Sequence, residues 1–465
     1  MHTRTQFAST LIAVLIASAC SRTASNPAPP ASVRSSTSTS PLPPSSTAPK
    51  VVALPDSPAG KQLAWVIDGL STATDAEITA RFSKPFIDQV GITEVRTVRI
   101  GFGTIVVTEI LSSQPTSAVV RTNTDAGPLI LTISVDGASP PVITGLLAEP
   151  APGPTPTSWT EVETRLQALG ANTGYLVATV AADGRPTPLH ARNPAVAGPL
   201  GSSFKLYVLG ALARAIAAGS VAWTDTVTIT PELKSLPSGE LQDRPDGSGV
   251  SVLEAATLMI SISDNTATDM LIDLVGVDAV EAVLATMGMS KPSVERNTPW
   301  LTTRQLFTLK WGGGLAELDR YIAADDNGRR AILAALPVDG LASSAKNLDP
   351  AVPVAIGDVE WFASPQELVR AHIWLDGPAE QPGLSELRTI LGTNPGVGID
   401  PALWSRFAFK GGSEPGVLSL TWLLGRPDGT RFVVAVLAND PKTAINETEG
   451  AAIGQGVINL LADKP

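Results

Sequence analysis

Three short patterns follow one another along this chain: Ser202-Ser203-Phe204-Lys205, Ser263-Asp264-Asn265 and Lys410-Gly411-Gly412-Ser413. Each sets a hydroxyl beside an amine or an amide, as a serine nucleophile requires when a lysine takes its proton. Other nucleophilic chemistries fail on residue types. Beyond the N-terminal segment only His190 and His372 remain, one expected in a hairpin strand and the other in mid-helix, and no G-x-S-x-G occurs. A Ser-His-Asp triad therefore has no place, and two histidines do not build a zinc centre. Cys20 is the only cysteine, which rules out a cysteine nucleophile, a zinc–thiolate site or an intrachain disulfide in the later domains. No metal or cofactor is expected.

Lysine acts as a base only when its pKa is depressed by burial or by a second cation such as Lys410. A helix starting near Phe204 places Lys205 about one turn beyond Ser202, roughly 4.5 Å along the same face. At that helix start the Ser202 N–H is free to serve as half of an oxyanion hole. The competing reading is a capping serine followed by a surface lysine. A second S-x-x-K, Ser343-Ser344-Ala345-Lys346, runs into Asn347-Leu348-Asp349-Pro350, which ends a helix, and is set aside as a loop. Ser263-Asp264-Asn265 lies between two apolar helical stretches. It is either a capping turn or a working group, with Ser263 relaying a proton to the leaving group, Asn265 bonding a substrate amide and Asp264 structural. Gly411 and Gly412 end a strand and allow close approach of a ligand. There the Ser413 N–H would complete the oxyanion hole and Lys410 would attract an anion, unless this is only a polar strand end.

The surrounding elements fix where these patterns fall. Ser158-Trp159-Thr160-Glu161 starts a helix through Leu169, Gly174 to Ala181 alternates as a strand, and Asp183-Gly184 turns it back from Pro188. An apolar helix spans Phe204 to Ala218, and helices dominate to about Leu391. Strands return at Phe407–Phe409, Val417–Leu424 and Arg431–Ala438, before a closing helix from about Glu449 to Leu461. A sheet built from the two ends of a domain, with helices inserted between them, is α+β.

The chain has 465 residues, 43% of them hydrophobic, enough for two or three domains with their own cores. A net charge of −11 repels a phosphate backbone, so no nucleic-acid partner is expected. Residues 1–19 read as an export signal, with Arg4 ahead of an apolar run too short for a membrane span of roughly 20 residues. Ala17-Ser18-Ala19-Cys20 resembles a bacterial lipobox, implying lipidation of Cys20; the alternative is an ordinary Ala-X-Ala signal. Residues 20–60 are a Ser/Thr/Pro-rich tether. The expected location is the cell envelope, at the outer face of the plasma membrane, with membrane contact only through the anchor. Residues 61–148 form a small α+β domain, with helical patterning at Leu63–Leu70 and a capping box at Thr74…Glu77. After Gly91 strands are expected at Val95–Ile100, Thr104–Leu111, Ala118–Thr122, Leu129–Val135 and Val142–Leu147. This order is similar to ketosteroid-isomerase-like domains, but Tyr175, Tyr207 and Tyr321 all lie later, so a phenol-based oxyanion hole is unavailable. A packing or partner-binding module is expected instead. Residues 149–157 are a Pro-rich linker to residues 158–465.

Taken in order, the three patterns resemble the S-x-x-K, S-D-N and K-[ST]-G motifs of the penicillin-recognising serine hydrolases. Their flanks, Gly201 to Leu206 and Ser263 to Asp269, resemble class A β-lactamases, and the likeness covers residues 158–465. With the lipobox, tether and small first domain, the chain resembles the mycobacterial LpqF-type lipoproteins and the cephalosporin esterase associated with clavulanate biosynthesis. The resemblance implies Ser202 as nucleophile, Lys205 as base, Ser263 and Lys410 as proton relay, and Asn265, Gly411, Gly412 and Ser413 around the substrate. That substrate would be a small molecule: a β-lactam, an ester or a peptidoglycan-like peptide. Two departures stand out. Gly411 replaces the family's Thr or Ser, leaving Ser413 to supply a hydroxyl. No E-x-x-L-N segment lies between Asn265 and Lys410, so the carboxylate that activates deacylating water in class A enzymes is missing. Glu360, five residues before Pro365, is the nearest candidate; otherwise it is a surface acid beside an aromatic cluster. Slow β-lactam turnover is expected, with a D,D-peptidase or transpeptidase and a non-turnover binding lipoprotein as alternatives. Residues Asn297–Asp358 read as an insertion whose Trp300 and Trp311 reshape the pocket.

Overall fold

The computed structural model describes residues 52–151, 153–312, 315–337, 349, 352–377, 381 and 383–462. The export signal, Cys20, most of the tether and the second S-x-x-K pattern lie outside them. The chain divides into two compact units at Pro152/Gly153.

In the first unit, α1 (Pro58–Asp68) starts inside the predicted tether. Ser57 accepts the Gly60 N–H at 3.0 Å, and Pro58 takes the opening position, where no backbone donor is needed. α2 (Asp75–Arg81) carries the capping box, with Glu77 accepting the Thr74 N–H at 2.7 Å. α3 (Lys84–Val90) and α4 (Ile92–Gly101) meet at Gly91, whose φ of +86° breaks the helix. Residues 95–100 are therefore helical, not the expected strand. Val95 and Val98 share a buried face, so packing overrides the strand preference of a run rich in Ile, Thr and Val. β1 (Ile105–Gln114), β2 (Ser117–Thr124), β3 (Gly127–Val135) and β4 (Ile143–Pro150) then pair antiparallel in sequence order. Leu63, Phe86, Val120 and Ile133 close the core between helices and meander.

The second unit opens with α5 (Trp159–Leu169), β5 (Asn172–Val180), β6 (Pro186–Arg192) and a two-residue β7 (Gly198–Pro199). A 3₁₀ turn, Gly201–Phe204, enters α6 (Lys205–Ala217). The inserted region continues through β8 (Thr226–Thr228), β9 (Gly249–Ser251), α7 (Val252–Ser261), α8 (Asn265–Val275), α9 (Val277–Thr286) and α10 (Lys291–Arg296). Next come α11 (Thr303–Phe307), a π turn at Thr308–Gly312, α12 (Leu315–Ala323), α13 (Asp326–Ala335), β10 (Phe362–Ala363), α14 (Pro365–Asp376) and α15 (Glu386–Leu391). β11 (Arg406–Glu414), β12 (Val417–Gly425), β13 (Arg431–Asn439) and α16 (Glu447–Ala462) finish the unit.

One antiparallel sheet runs β11-β12-β13-β5-β6, so the two ends of the unit close it and the architecture is α+β. β13 shows why it is central. Val433, Ala435 and Leu437 face the helical region, while Phe432, Val434 and Val436 face α5 and α16. An unbroken apolar run is what a strand covered on both faces needs. α6 is buried on every side from Lys205 to Ala213, the mark of a central helix. Trp422 of β12 is fully buried, with Phe409 at 5.0 Å between ring centroids. Trp422→Ala is expected to lower the unfolding free energy by about 3–5 kcal/mol in urea titrations.

Candidate active site

The turn that carries Ser202 is held from two directions. Leu200 N–H donates to Trp361 O at 2.9 Å, and β7 pairs with β10 through Pro199 and Phe362. On the sheet side, Ser419 Oγ lies 2.6 Å from both Leu200 O and Ser203 Oγ. β11 then comes closer than a side chain would permit. A Cβ on Gly412 would lie 2.2 Å from Leu200 O and 2.5 Å from the nitrogens of Ser202 and Ser203. One on Gly201, whose φ is +48°, would lie 2.7 Å from Ser413 N. The amides of Ser202 and Ser413 thus meet at one junction of turn and strand, and the first N–H groups of the turn lack acceptors within it.

Lys205 has no solvent exposure. Its Nζ lies 3.0 Å from Ser202 Oγ, 2.9 Å from Ser263 Oγ, 2.7 Å from Ser263 O and 2.6 Å from Asn265 Oδ1. Lys410 Nζ donates to Ser263 Oγ at 3.1 Å and Gly411 O at 2.7 Å. One hydroxyl therefore bridges two buried amines. Ser263 reaches that position with φ +60°, a costly conformation for a residue with a side chain. It is held there by Ser238 Oγ on its carbonyl (2.7 Å) and by Asp264. The Asp264 carboxylate accepts N–H groups from Glu240 (2.7 Å), Leu241 (3.0 Å) and Ala267 (2.8 Å). Burial, and then the charge of Lys410, hold the Lys205 amine well below the usual lysine range, against the pull of Asp269 and Asp264. Burial brings Lys410 down to about 7.

The three patterns thus converge, but single residues differ from expectation. Asn265 has Oδ1 committed to Lys205 while its Nδ2 donates to Leu236 O at 2.9 Å, so only one N–H remains for a ligand. Gly411, Gly412 and Ser413 lie on the cleft wall. Both histidines are structural. His190 stacks on Trp159 at 3.8 Å, and the buried His372 Nε2 sits 2.9 Å from Thr421 Oγ1, which donates to Lys410 O. Trp300 packs edge-on against Phe204 and Tyr207 in the core rather than shaping the pocket. Trp311 stacks on Phe307, which does line the cleft.

Glu360 is not a surface acid. It is 4% exposed, and its Oε2 accepts the N–H of Gly201 at 3.3 Å and of Trp361 at 2.8 Å. It belongs to a buried group with Lys310 and Glu414, neither singled out in the sequence. Lys310 Nζ lies 3.8 Å from Glu360 and forms a close ion pair with Glu414. Burial raises both carboxyl groups despite Lys310, Glu414 to about 8. The available signal was a charge inside the apolar run Leu306-Phe307-Thr308-Leu309-Lys310-Trp311, since an unpaired lysine is almost never fully buried.

The cleft over Ser202 has a volume of about 310 Å³ and is lined by Ser263, Asn265, Phe307, Gly411 and Ser413. A larger cavity of about 530 Å³, beside Asn172, Arg192 and Arg296, includes none of these residues. Among the described residues no cluster of His, Cys, Asp and Glu could hold a metal ion. Lys410 has a folded value near 7, below an unfolded value of about 10.4, so between these the unfolded chain binds the extra proton. Its burial cost is full below pH 7 and fades toward pH 10. Lys410→Met is therefore expected to gain stability over the native chain at pH 6, and to lose most of that gain by about pH 10, in paired urea titrations.

No curated protein matches this chain. Residues 161–333 match the Beta-lactamase enzyme family, and residues 54–140 match the family described as ORF 12 gene product N-terminal. Among solved structures, a beta-lactamase from Sphaerobacter thermophilus DSM 20745 is similar at 24% identity, over 66% of this chain and 99% of that one, with a TM-score of 0.45. A PBP-A mutant in acyl-enzyme complex with penicillin G is 18% identical over 68% of this chain and all of its own, with a TM-score of 0.42. A beta-lactamase from Chitinophaga pinensis DSM 2588 is 19% identical over 65% of this chain and 98% of that one, with a TM-score of 0.43. The match to the Beta-lactamase enzyme family, at residues 161–333, thus falls within the second unit and its α+β architecture.

Proposed function

We propose that this protein is a serine hydrolase acting on β-lactams or related esters through an acyl-enzyme at Ser202. The observation that carries the reading is a fully buried Lys205 amine 3.0 Å from Ser202 Oγ, linked through Ser263 to Lys410. A desolvated amine keeps a lone pair near neutral pH, and that lone pair takes the Ser202 proton as Oγ attacks a carbonyl. The Ser202 and Ser413 amides stabilise the developing oxyanion. Ser263 then protonates the leaving group and is replenished through Lys205 and Lys410. Lys410 and Ser413 receive an anionic group of the substrate, with Gly411 contributing no hydroxyl. β-Lactam turnover is slow, and ester hydrolysis stands beside it as an equally supported activity. The same reading takes the chain as exported and held by a lipid on Cys20, on the strength of Ala17-Ser18-Ala19-Cys20.

Intact-mass measurement after treatment with a penicillin and with an aryl ester tests this. The native chain is expected to gain one acyl group, and Ser202→Ala none. Equal labelling of both overturns the assignment. Gly412→Ala must force β11 off the turn, and is expected to slow acylation by about 10²–10³, the loss seen when one oxyanion donor is removed.

A further inference from the structure

A second, smaller cavity shares Ser202, Asn265 and Ser413 with the cleft and adds Glu360, Glu414 and Thr303 to its lining. Its volume of about 20 Å³ suits one water molecule. The two acids reach it from different elements. Glu414 ends β11, next to Ser413, whereas Glu360 precedes β10. Lys310, from the π turn, has a fully buried side chain and pairs with both.

The oxygens of this group are unequally satisfied. Glu360 Oε2 accepts two backbone N–H groups. Glu414 Oε2 is buried and finds no N–H or O–H donor among the described residues. Both carboxyl groups flank the same Lys310 amine, and burial raises both, so one of the two keeps its proton. One carboxylate, one carboxylic acid and one ammonium then sum to no net charge. Packing alone gives no reason for such a group, because apolar replacements of buried ion pairs are often neutral or stabilising. An acid pair that keeps one proton and borders the nucleophile across a one-water space has a chemical use.

We propose that the Glu360–Glu414 pair is the general base that releases the acyl group from Ser202, an inference that rests on the serine-acylation reading above. Water in the cavity gives a proton to the ionised member of the pair as its oxygen bonds to the acyl carbon. The tetrahedral adduct collapses by breaking the bond to Ser202 Oγ, whose electron pair leaves with the oxygen. The proton taken from water returns to Ser202. Acyl-serine and water thereby become serine and a carboxylic acid, and the pair, which holds a second proton only until Ser202 takes it, returns to one with Lys310 beside it.

The test separates acylation from release. Native protein, Glu360→Gln and Glu414→Gln are mixed with a penicillin or an aryl ester, quenched over time and weighed intact. Release from Ser202 is expected to slow by about 100-fold or more in each variant, within the usual range for a lost general base. Acylation is expected to stay within about threefold of the native rate. Glu360 also braces the Gly201 N–H, so Glu414→Gln, whose hydrogen bond and ion pair run to Lys310, decides the matter if Glu360→Gln misfolds. Equal release rates in all three proteins, equal losses in both steps, or a native adduct that is never released overturn the inference alone. Absence of any adduct on Ser202 in the native protein overturns the acylation reading itself.

Discussion

Burial of the Lys205 amine is the constraint around which the second unit is arranged. An ammonium removed from water is costly, so a lysine at the start of a central helix must either find fixed acceptors or surrender its proton. The surroundings supply both routes. Ser263 and Asn265 present three oxygens within 2.9 Å, and Lys410 adds a repelling charge that favours the neutral form. Moving Lys205 to the surface would relieve the cost and remove the chemistry. α6 instead keeps it at the one helical position that also looks onto Ser202.

Meeting that constraint forces three distant segments together. Lys410 and Ser202 belong to opposite ends of the unit, and only a sheet closed by both ends brings β11 against the turn. Glycine sets the final distance. With a Cβ at Gly412 the strand would collide with Leu200 O, so strand and turn could not share their amides. The strain at Ser263 has the same origin: its hydroxyl must face two amines at once, and the three N–H groups gathered by Asp264 stabilise the loop that holds it there.

Much of this was legible in the chain. Helix caps at Thr74 and Ser158, the alternation of β5 and the apolar runs of β12 and β13 are local signals, and the folded elements follow them. So did the three patterns, because S-x-x-K spacing is fixed by one helical turn and the glycines of β11 by a close approach. Residues 95–100, expected as a strand, are helical for a physical reason. Ile, Thr and Val favour strands, but Val95 and Val98 gain more by sharing the buried face of a helix. The pairing of Glu414 with Lys310 was invisible for another: they are 104 residues apart, and although Lys310 stands out within an apolar run, its partner is defined only once folding sets each against the other. Glu360 read as exposed because an isolated acid near aromatics normally is.

Two buried charge groups of opposite character therefore border Ser202. On the lysine side, desolvation lowers proton affinity, and near neutral pH the amines have room for a proton. On the glutamate side, desolvation raises proton affinity, that of Glu414 to about 8. Both effects come from the same removal of water, with the sign set by whether the charged form is a cation or an anion. Forming an acyl-serine needs a base that acts on a hydroxyl already in place, whereas breaking it needs a base that can also hold a water. Lys205, packed against four protein atoms, has no space for that water; the cavity beside Glu360 and Glu414 does. The division of labour between the two groups follows from where the packing leaves room.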